Sequence, residues 1–178
     1  WGGGGRVVGL LEGCVEQGVG CVRDVIVCEV RDGEMEVVRV GTPRGGMGGD
    51  VDAMSFCSHM PQHEEPAGAL AAAFYLIAGV RGMERGTISS VRDEKGNEIL
   101  ADVELLRLAV PRRVFTLSQI KYVSDRLQWL YANRHLIGGL KFTYEPPVLR
   151  FFMGGLEPTS DWPAKLVDKF RKDFGDSL

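Results

Sequence analysis

Apolar residues fall along this chain in two rhythms. From Val25 to Val30, and again from Met35 to Val40, they crowd into short β-branched runs around Asp32-Gly33. That is the pattern of two strands closed by a tight turn. From Ala67 to Val80 they form a nearly unbroken stretch rich in Ala and Leu, opened by Pro66. This predicts a helix with proline in its first turn, apolar almost all round and so buried on most sides. Gly82 and Gly86 punctuate its end. Ile120, Val123, Leu127, Leu130 and Tyr131 recur at helical spacing behind a Thr116/Gln119 capping box, which predicts a second helix reaching about Leu136 and stopped by Gly138-Gly139. A third carries Leu166, Val167, Phe170 and Phe174 on one stripe, with Ser160 or Asp161 as cap and Pro163 in its first turn.

The segments between are strand-like or loops. Val103 to Val110 is an apolar run ended by Pro111, and Thr87 to Val91 is a short extended piece leading into a charged turn at Asp93 to Asn97. Leu140 to Tyr144 and Val148 to Phe152 read as two short strands separated by Pro146-Pro147. Residues 41–50 are glycine-rich, broken by Pro43, and read as loop. Residues 6–18 form at best a weak helix, because Gly9, Gly13 and Gly18 each cost about 1 kcal/mol in a helix interior. No internal repeat is present. Helices alternating with short strands predict an α+β fold, a small and mostly antiparallel sheet with helices packed on one face.

Composition narrows the function classes. At 178 residues with 44% hydrophobic content, the chain supports one real core. A net charge of −3 argues against nucleic acid and anionic membranes as partners. No apolar run approaches the roughly 18–20 residues needed to cross a bilayer. The chain opens on Trp1 and four glycines, without Met or an export signal. It reads as a fragment, or as a processed or mispredicted start, of a cytoplasmic protein, and Cys14, Cys21, Cys28 and Cys57 read as reduced thiols. The first three, seven apart, match no zinc or redox spacing and read as small apolar residues. Cys57, His59, His63, Glu64 and Glu65 are denser. They read as a polar loop before a helix or, without an HExxH or CxxC framework, as a loose metal candidate.

One charge stands out. Arg107 lies within the apolar run ELLRLAV, sharing a strand face with Val103, Leu105 and Ala109, while Glu104, Leu106, Leu108 and Val110 take the other. Apolar residues on both faces predict burial on both sides. A guanidinium cannot shed its proton, so Arg107 either sits on a wet face or, if buried, needs a partner. That partner is either a carboxylate elsewhere in the chain or an anionic ligand held bidentately. Met83, Glu84 and Arg85 sit between Gly82 and Gly86, an exposed turn or a place where backbone approaches a ligand. Phe151 and Phe152 put one ring on each face of a predicted strand, as core or as a covered surface.

The order of these pieces carries a resemblance. PAGALAAAFY, GVRGMERGTISS, VELLRLAVPRRVFT and FTYEPPVLRFF, at these separations, closely resemble the carboxy-terminal part of the aromatic amino-acid β-eliminating lyases, the tyrosine phenol-lyases and tryptophanases. The likeness runs from about residue 55 to 155. It implies that residues 46–178 resemble the C-terminal small domain of fold-type I enzymes that use pyridoxal 5'-phosphate, with residues 1–45 an uncertain segment, either divergent small-domain sequence or non-native sequence. It further implies that Arg107 holds the α-carboxylate of an aromatic amino acid. Met83, Arg85, Phe151 and Phe152 would line the ring pocket, the arginine facing a phenol hydroxyl. Tryptophanases more often carry histidine where Phe151 stands, so these positions lean toward a tyrosine phenol-lyase-like pocket.

The resemblance also implies what must lie elsewhere. No Schiff-base motif surrounds Lys95, Lys121 or Lys141, and the cofactor's lysine and phosphate site belong to a missing large domain. A chain with Arg107 and no such lysine is expected to be inactive alone. The parent reaction would convert tyrosine or tryptophan to phenol or indole, pyruvate and ammonia, in a homo-oligomer. The alternative is a non-catalytic binding or regulatory module that kept the small-domain fold.

Overall fold

The computed structural model describes residues 26–29, 35–38, 48–90, 92–111 and 114–175. The weak helix expected over 6–18, Cys14, Cys21 and the Asp32-Gly33 turn lie outside them. The hairpin strands are present: β1 (Ile26–Glu29) pairs antiparallel with β2 (Met35–Val38), Ile26 opposite Val38.

The expected glycine-rich loop is corrected at its end. Gly48 to Asp50 begin β3 (Gly48–Asp52), because pairing along β5 (Leu105–Ala109) supplies the hydrogen bonds that composition alone did not promise. Asp52 then caps the single turn of α1 (Ala53–Phe56), its carboxylate accepting from the amides of Met54 and Ser55.

The apolar stretch forms α2 (Pro66–Ala78), with Leu70, Ala73, Phe74 and Ile77 fully buried. It stops earlier than Gly82. Gly79 takes φ +62°, and its amide donates to the Tyr75 carbonyl, a left-handed cap that costs glycine little. The exposed turn weighed for Met83 to Arg85 is instead β4 (Met83–Arg85), antiparallel to β5. Conversely, the extended piece expected from Thr87 is a 3₁₀ turn over Thr87–Ser89. The turn after Arg92 forms as expected. Asp93 accepts from the amides of Lys95 and Asn97, and Gly96 takes φ +82°.

The capping box is complete at the start of α3 (Leu117–Ala132), and a 3₁₀ turn continues to Leu136. β6 (Leu140–Tyr144) follows, but its partner is β7 (Gly155–Pro158). The expected strand from Val148 to Phe152 is corrected. Arg150 to Met153 form one helical turn, α4 (Arg150–Met153). There the Arg150 side chain, reaching inward, outweighs the strand propensity of the twin phenylalanines. α5 (Trp162–Phe174) follows, with Asp161 at its N-cap position but making no capping hydrogen bond, Pro163 in its first turn and Leu166 and Phe170 buried.

The fold is α+β with antiparallel pairing throughout. The described strands form three small sheets, β1-β2, β3-β5-β4 and β6-β7. One core joins the second and third of these: α2 lies at its centre, with Phe56, Leu106, Leu127, Leu130, Leu140, Trp162, Leu166 and Phe170 packed in the same cluster. Phe56 meets Tyr131 edge to face at 4.9 Å. Gly138 is required by this packing, since a Cβ there would come within 2.7 Å of the Trp162 ring.

Candidate functional site

The three-stranded sheet sorts its side chains strictly by face. Successive residues of a strand alternate, and directly opposed residues of neighbouring strands share a face. Val51, Leu106 and Glu84 point into the core, at 2%, 0% and 6% exposure. Asp50, Arg107 and Met83 stand opposite one another on the other face, with Arg85 two residues further along β4. That face is open: Met83 and Arg85 are exposed, and the Arg107 side chain is 43% exposed. The expectation that β5 is buried on both sides is therefore corrected. Its second face lacks a covering layer among the described residues.

Arg107 does have a partner. Its Nε donates to Asp50 Oδ1 at 2.8 Å and its Nη2 to Asp50 Oδ2 at 3.1 Å. This is a bidentate, side-on carboxylate pair, the geometry in which guanidinium recognises acids. The hydrogen bonds to Asp50 hold the Arg107 pKa above its ordinary value.

Beneath the sheet lies a buried polar layer. Glu104, just before β5, accepts from the amide and hydroxyl of Thr87 at 2.9 and 2.6 Å. Ser89 donates to Glu84 at 2.8 Å. Gly86 sits between the two acids: Oε2 of Glu104 and Oε1 of Glu84 both lie within 3 Å of where a Cβ would stand. Those two oxygens, with Oε2 of Glu65, have no hydrogen-bond partner among the described residues. Burial pushes the Glu65 carboxyl up to about 8, helped by the charges of Glu98, Glu104 and Glu84. It pushes Glu84 up to about 7 against the pull of the Ser89 hydroxyl. Glu65 also takes φ +59° at the entry to α2, a conformation that costs a non-glycine residue roughly 1–2 kcal/mol.

Arg150 ties this layer together. Its side chain is 6% exposed and donates to Glu98 and Glu145 at 2.8 Å each, and to the carbonyls of Thr87 and Ile88. Arg92 grips Glu145 from the other side at 2.7 Å. The bonds from Arg92, and then from Arg150, hold the Glu145 carboxyl below its usual range. Sequence reasoning missed Arg150. The available signal was the one applied to Arg107, an arginine set against an apolar pair.

Arg107, Met83 and Arg85 are thus brought together on one open face. Phe151 and Phe152 lie on α4, their rings 4.8 Å apart and nearly perpendicular. They are linked to the sheet through Arg150, which bonds to the Thr87–Ser89 turn just after β4. Phe152 is 74% exposed. The Cys57–Glu65 cluster does not assemble. Cys57 is buried, with its thiol pushed up to about 12 by burial, and His59 Nε2 contacts the Ile137 carbonyl. Among the described residues no group of three or more His, Cys, Asp or Glu side chains gathers to hold a metal ion.

The lysines are ion-paired or exposed. Lys121, Lys165 and Lys169 pair with Asp125, Asp161 and Asp173 one helical turn away, and Lys95, Lys141 and Lys172 are exposed. These six are all the lysines of the chain, and none stands beside Arg107 in the sheet register. No helix among the described residues is long and apolar enough to cross a membrane.

No protein-family model matches the chain. Individual relatives do. A tyrosine phenol-lyase from Lacrimispora saccharolytica is 50% identical over 118 residues, 65% of this chain and 25% of that protein. A tyrosine phenol-lyase from Intrasporangium calvum is 45% identical over 121 residues, 68% of the chain and 26% of its own length. A tryptophanase from Salinibacter ruber is 41% identical over 121 residues, with the same coverage. The chain spans about a quarter of the length of the curated relatives it matches, which fits a carboxy-terminal part. Over two-thirds of its length the chain is a homologue of the tyrosine phenol-lyases and tryptophanases.

Proposed function

We propose that this chain supplies the substrate-side portion of a pyridoxal-phosphate-dependent aromatic amino-acid β-eliminating lyase. Arg107 receives the α-carboxylate, while Met83, Arg85, Phe151 and Phe152 form the ring-facing wall. The observation that carries this is the side-on carboxylate already seated on Arg107, on an open face, with Met83 directly opposite in register. Burial would make such a pair structural; here the guanidinium is reachable from solvent. Arg85 adds a second cation two residues from Met83 on the same face, suited to a phenol oxygen.

The residues that hold the cofactor belong, on this reading, to the remaining three-quarters of the relatives' length. A further surface points the same way. Tyr144, Val148, Leu149, Phe152 and Met153 are each at least 61% exposed, and a phenylalanine wall needs a covering partner before it can exclude water. The exposed and ion-paired lysines favour a second reading of the isolated chain, as a module that binds an amino acid without turning it over.

The test uses the purified chain with pyridoxal phosphate and L-tyrosine. We expect no phenol or pyruvate, and no borohydride-reducible adduct on any of its six lysines. L-Tyrosine should nonetheless shift the amide resonances of Met83 and Leu106, and that shift should vanish in Arg107→Gln. A shift that survives the substitution overturns the role given to Arg107. Stoichiometric cofactor attached to one lysine overturns the division of labour.

A further inference from the structure

A planar guanidinium offers a carboxylate more than one edge, and in Arg107 one of them is taken. Asp50 holds the Nε/Nη2 edge with both oxygens, while Nη1 makes no hydrogen bond among the described residues. We propose that Asp50 is an internal competitor for the substrate carboxylate: it fills the Arg107 edge an incoming acid would use, and so decides which ligands are admitted. This rests on the reading of Arg107 as the α-carboxylate site.

Three observations carry it. First, the pair reproduces the fork geometry of a bound acid. Second, the competitor cannot diffuse away. Asp50 is the direct cross-strand partner of Arg107 in the β3-β5 register, so its carboxylate is presented at high effective concentration. Third, the pair is weak enough to part. The Arg107 and Asp50 side chains are 43% and 22% exposed, and ion pairs open to water contribute little to stability. Arg150, at 6% exposure with two carboxylates and two carbonyls around it, shows what a locked arginine looks like in the same molecule.

The consequence is selectivity. A simple acid that takes this edge must displace Asp50 with nothing but its carboxylate and gains little. An amino acid whose ring also meets Met83 brings additional binding energy to the exchange. Asp50 acts as a threshold that a carboxylate alone does not cross.

The experiment follows backbone amides and the Arg107 Nε–H resonance of the ¹⁵N-labelled full chain. It compares the wild type with Asp50→Asn, Asp50→Glu and Arg107→Gln, titrated with L-phenylalanine and with L-phenylalaninamide, which lacks the acid. Asp50→Asn should lower the Kd for L-phenylalanine about two- to fivefold and leave the amide ligand unchanged. Asp50→Glu, which keeps the charge, should stay within a factor of two of wild type. Asp50→Ser replaces Asp50→Asn if the latter disturbs the strand. If the wild type binds through Arg107 and removing the Asp50 charge leaves affinity equal or weaker, the competitor is overturned and the carboxylate site stands. If Arg107→Gln binds as well as wild type, or no chain responds to L-phenylalanine, the carboxylate site falls and the competitor with it.

Discussion

Two arginines of this molecule live under opposite rules. Arg150 is buried and uses its guanidinium on two carboxylates and two backbone carbonyls. Arg107 stands on an open sheet face with a single carboxylate beside it. A buried charge persists only when its donors are met by the protein itself, which leaves little for a ligand. A charge meant for a ligand has to be reachable and lightly held. The apolar strand around Arg107 drew attention to this charge by suggesting that it is buried. Its neighbours are oily, but only one face of that strand is buried, and the guanidinium is on the other.

The sharpest way to break this comparison is to remove the locked arginine. Arg150→Ala leaves Glu98 short of a partner and frees the Thr87 and Ile88 carbonyls, and should cost about 3–5 kcal/mol. Urea unfolding of the two proteins measures it directly. A loss under roughly 1 kcal/mol would mean the buried layer is not held by Arg150.

The acids of that layer set the next effect. The folded-state pKa values of Glu65 and Glu84 are raised to about 8 and about 7 from an ordinary 4.5. The native state therefore binds more protons than the unfolded chain between these values. The stabilising contribution is fully present below about 4.5 and is lost as pH rises through 7 and 8. Stability should fall between pH 5 and pH 8.5 by on the order of 3 kcal/mol. Melts across that range should show it, and the double variant Glu65→Gln with Glu84→Gln should flatten the profile. A profile equally steep without both carboxyls would place the titration elsewhere.

The smallest expected effect is at Arg107. Arg107→Gln should change stability by no more than about 1 kcal/mol, because the pair it breaks is exposed. A calorimetric melt that drops as far as that of Arg150→Ala would make Arg107 a structural residue and erase the contrast.

Local signals carried most of the secondary structure. The Thr116/Gln119 box, Pro66, Asp161 and the 3.6-residue stripes located all three long helices, because caps and periodicity act within one or two turns of chain. The errors fall where pairing over distance decides. Gly48 to Asp50 become a strand through β5, Met83 to Arg85 through the same strand, and Val148 to Phe152 yield to a helical turn anchored by Arg150. The candidate site divides the same way. Arg107 was singled out by the apolar run around it and Met83 and Arg85 by the glycines that bracket them, but their shared open face is a consequence of register. Asp50 and Arg150 were not named at all: Asp50 has no local signature and meets Arg107 across 57 positions, and Arg150, despite its apolar pair, takes the Thr87 and Ile88 carbonyls across 63 and 62 positions.

The amino-acid order alone therefore determined the helices, the candidate cations and the kinship to aromatic amino-acid lyases, all of which depend on neighbours in the chain. Only the tertiary structure decided which arginine is sealed and which is open. Burial and charge pairing are properties of the assembled sheet, and a strand does not encode which of its faces the core will cover.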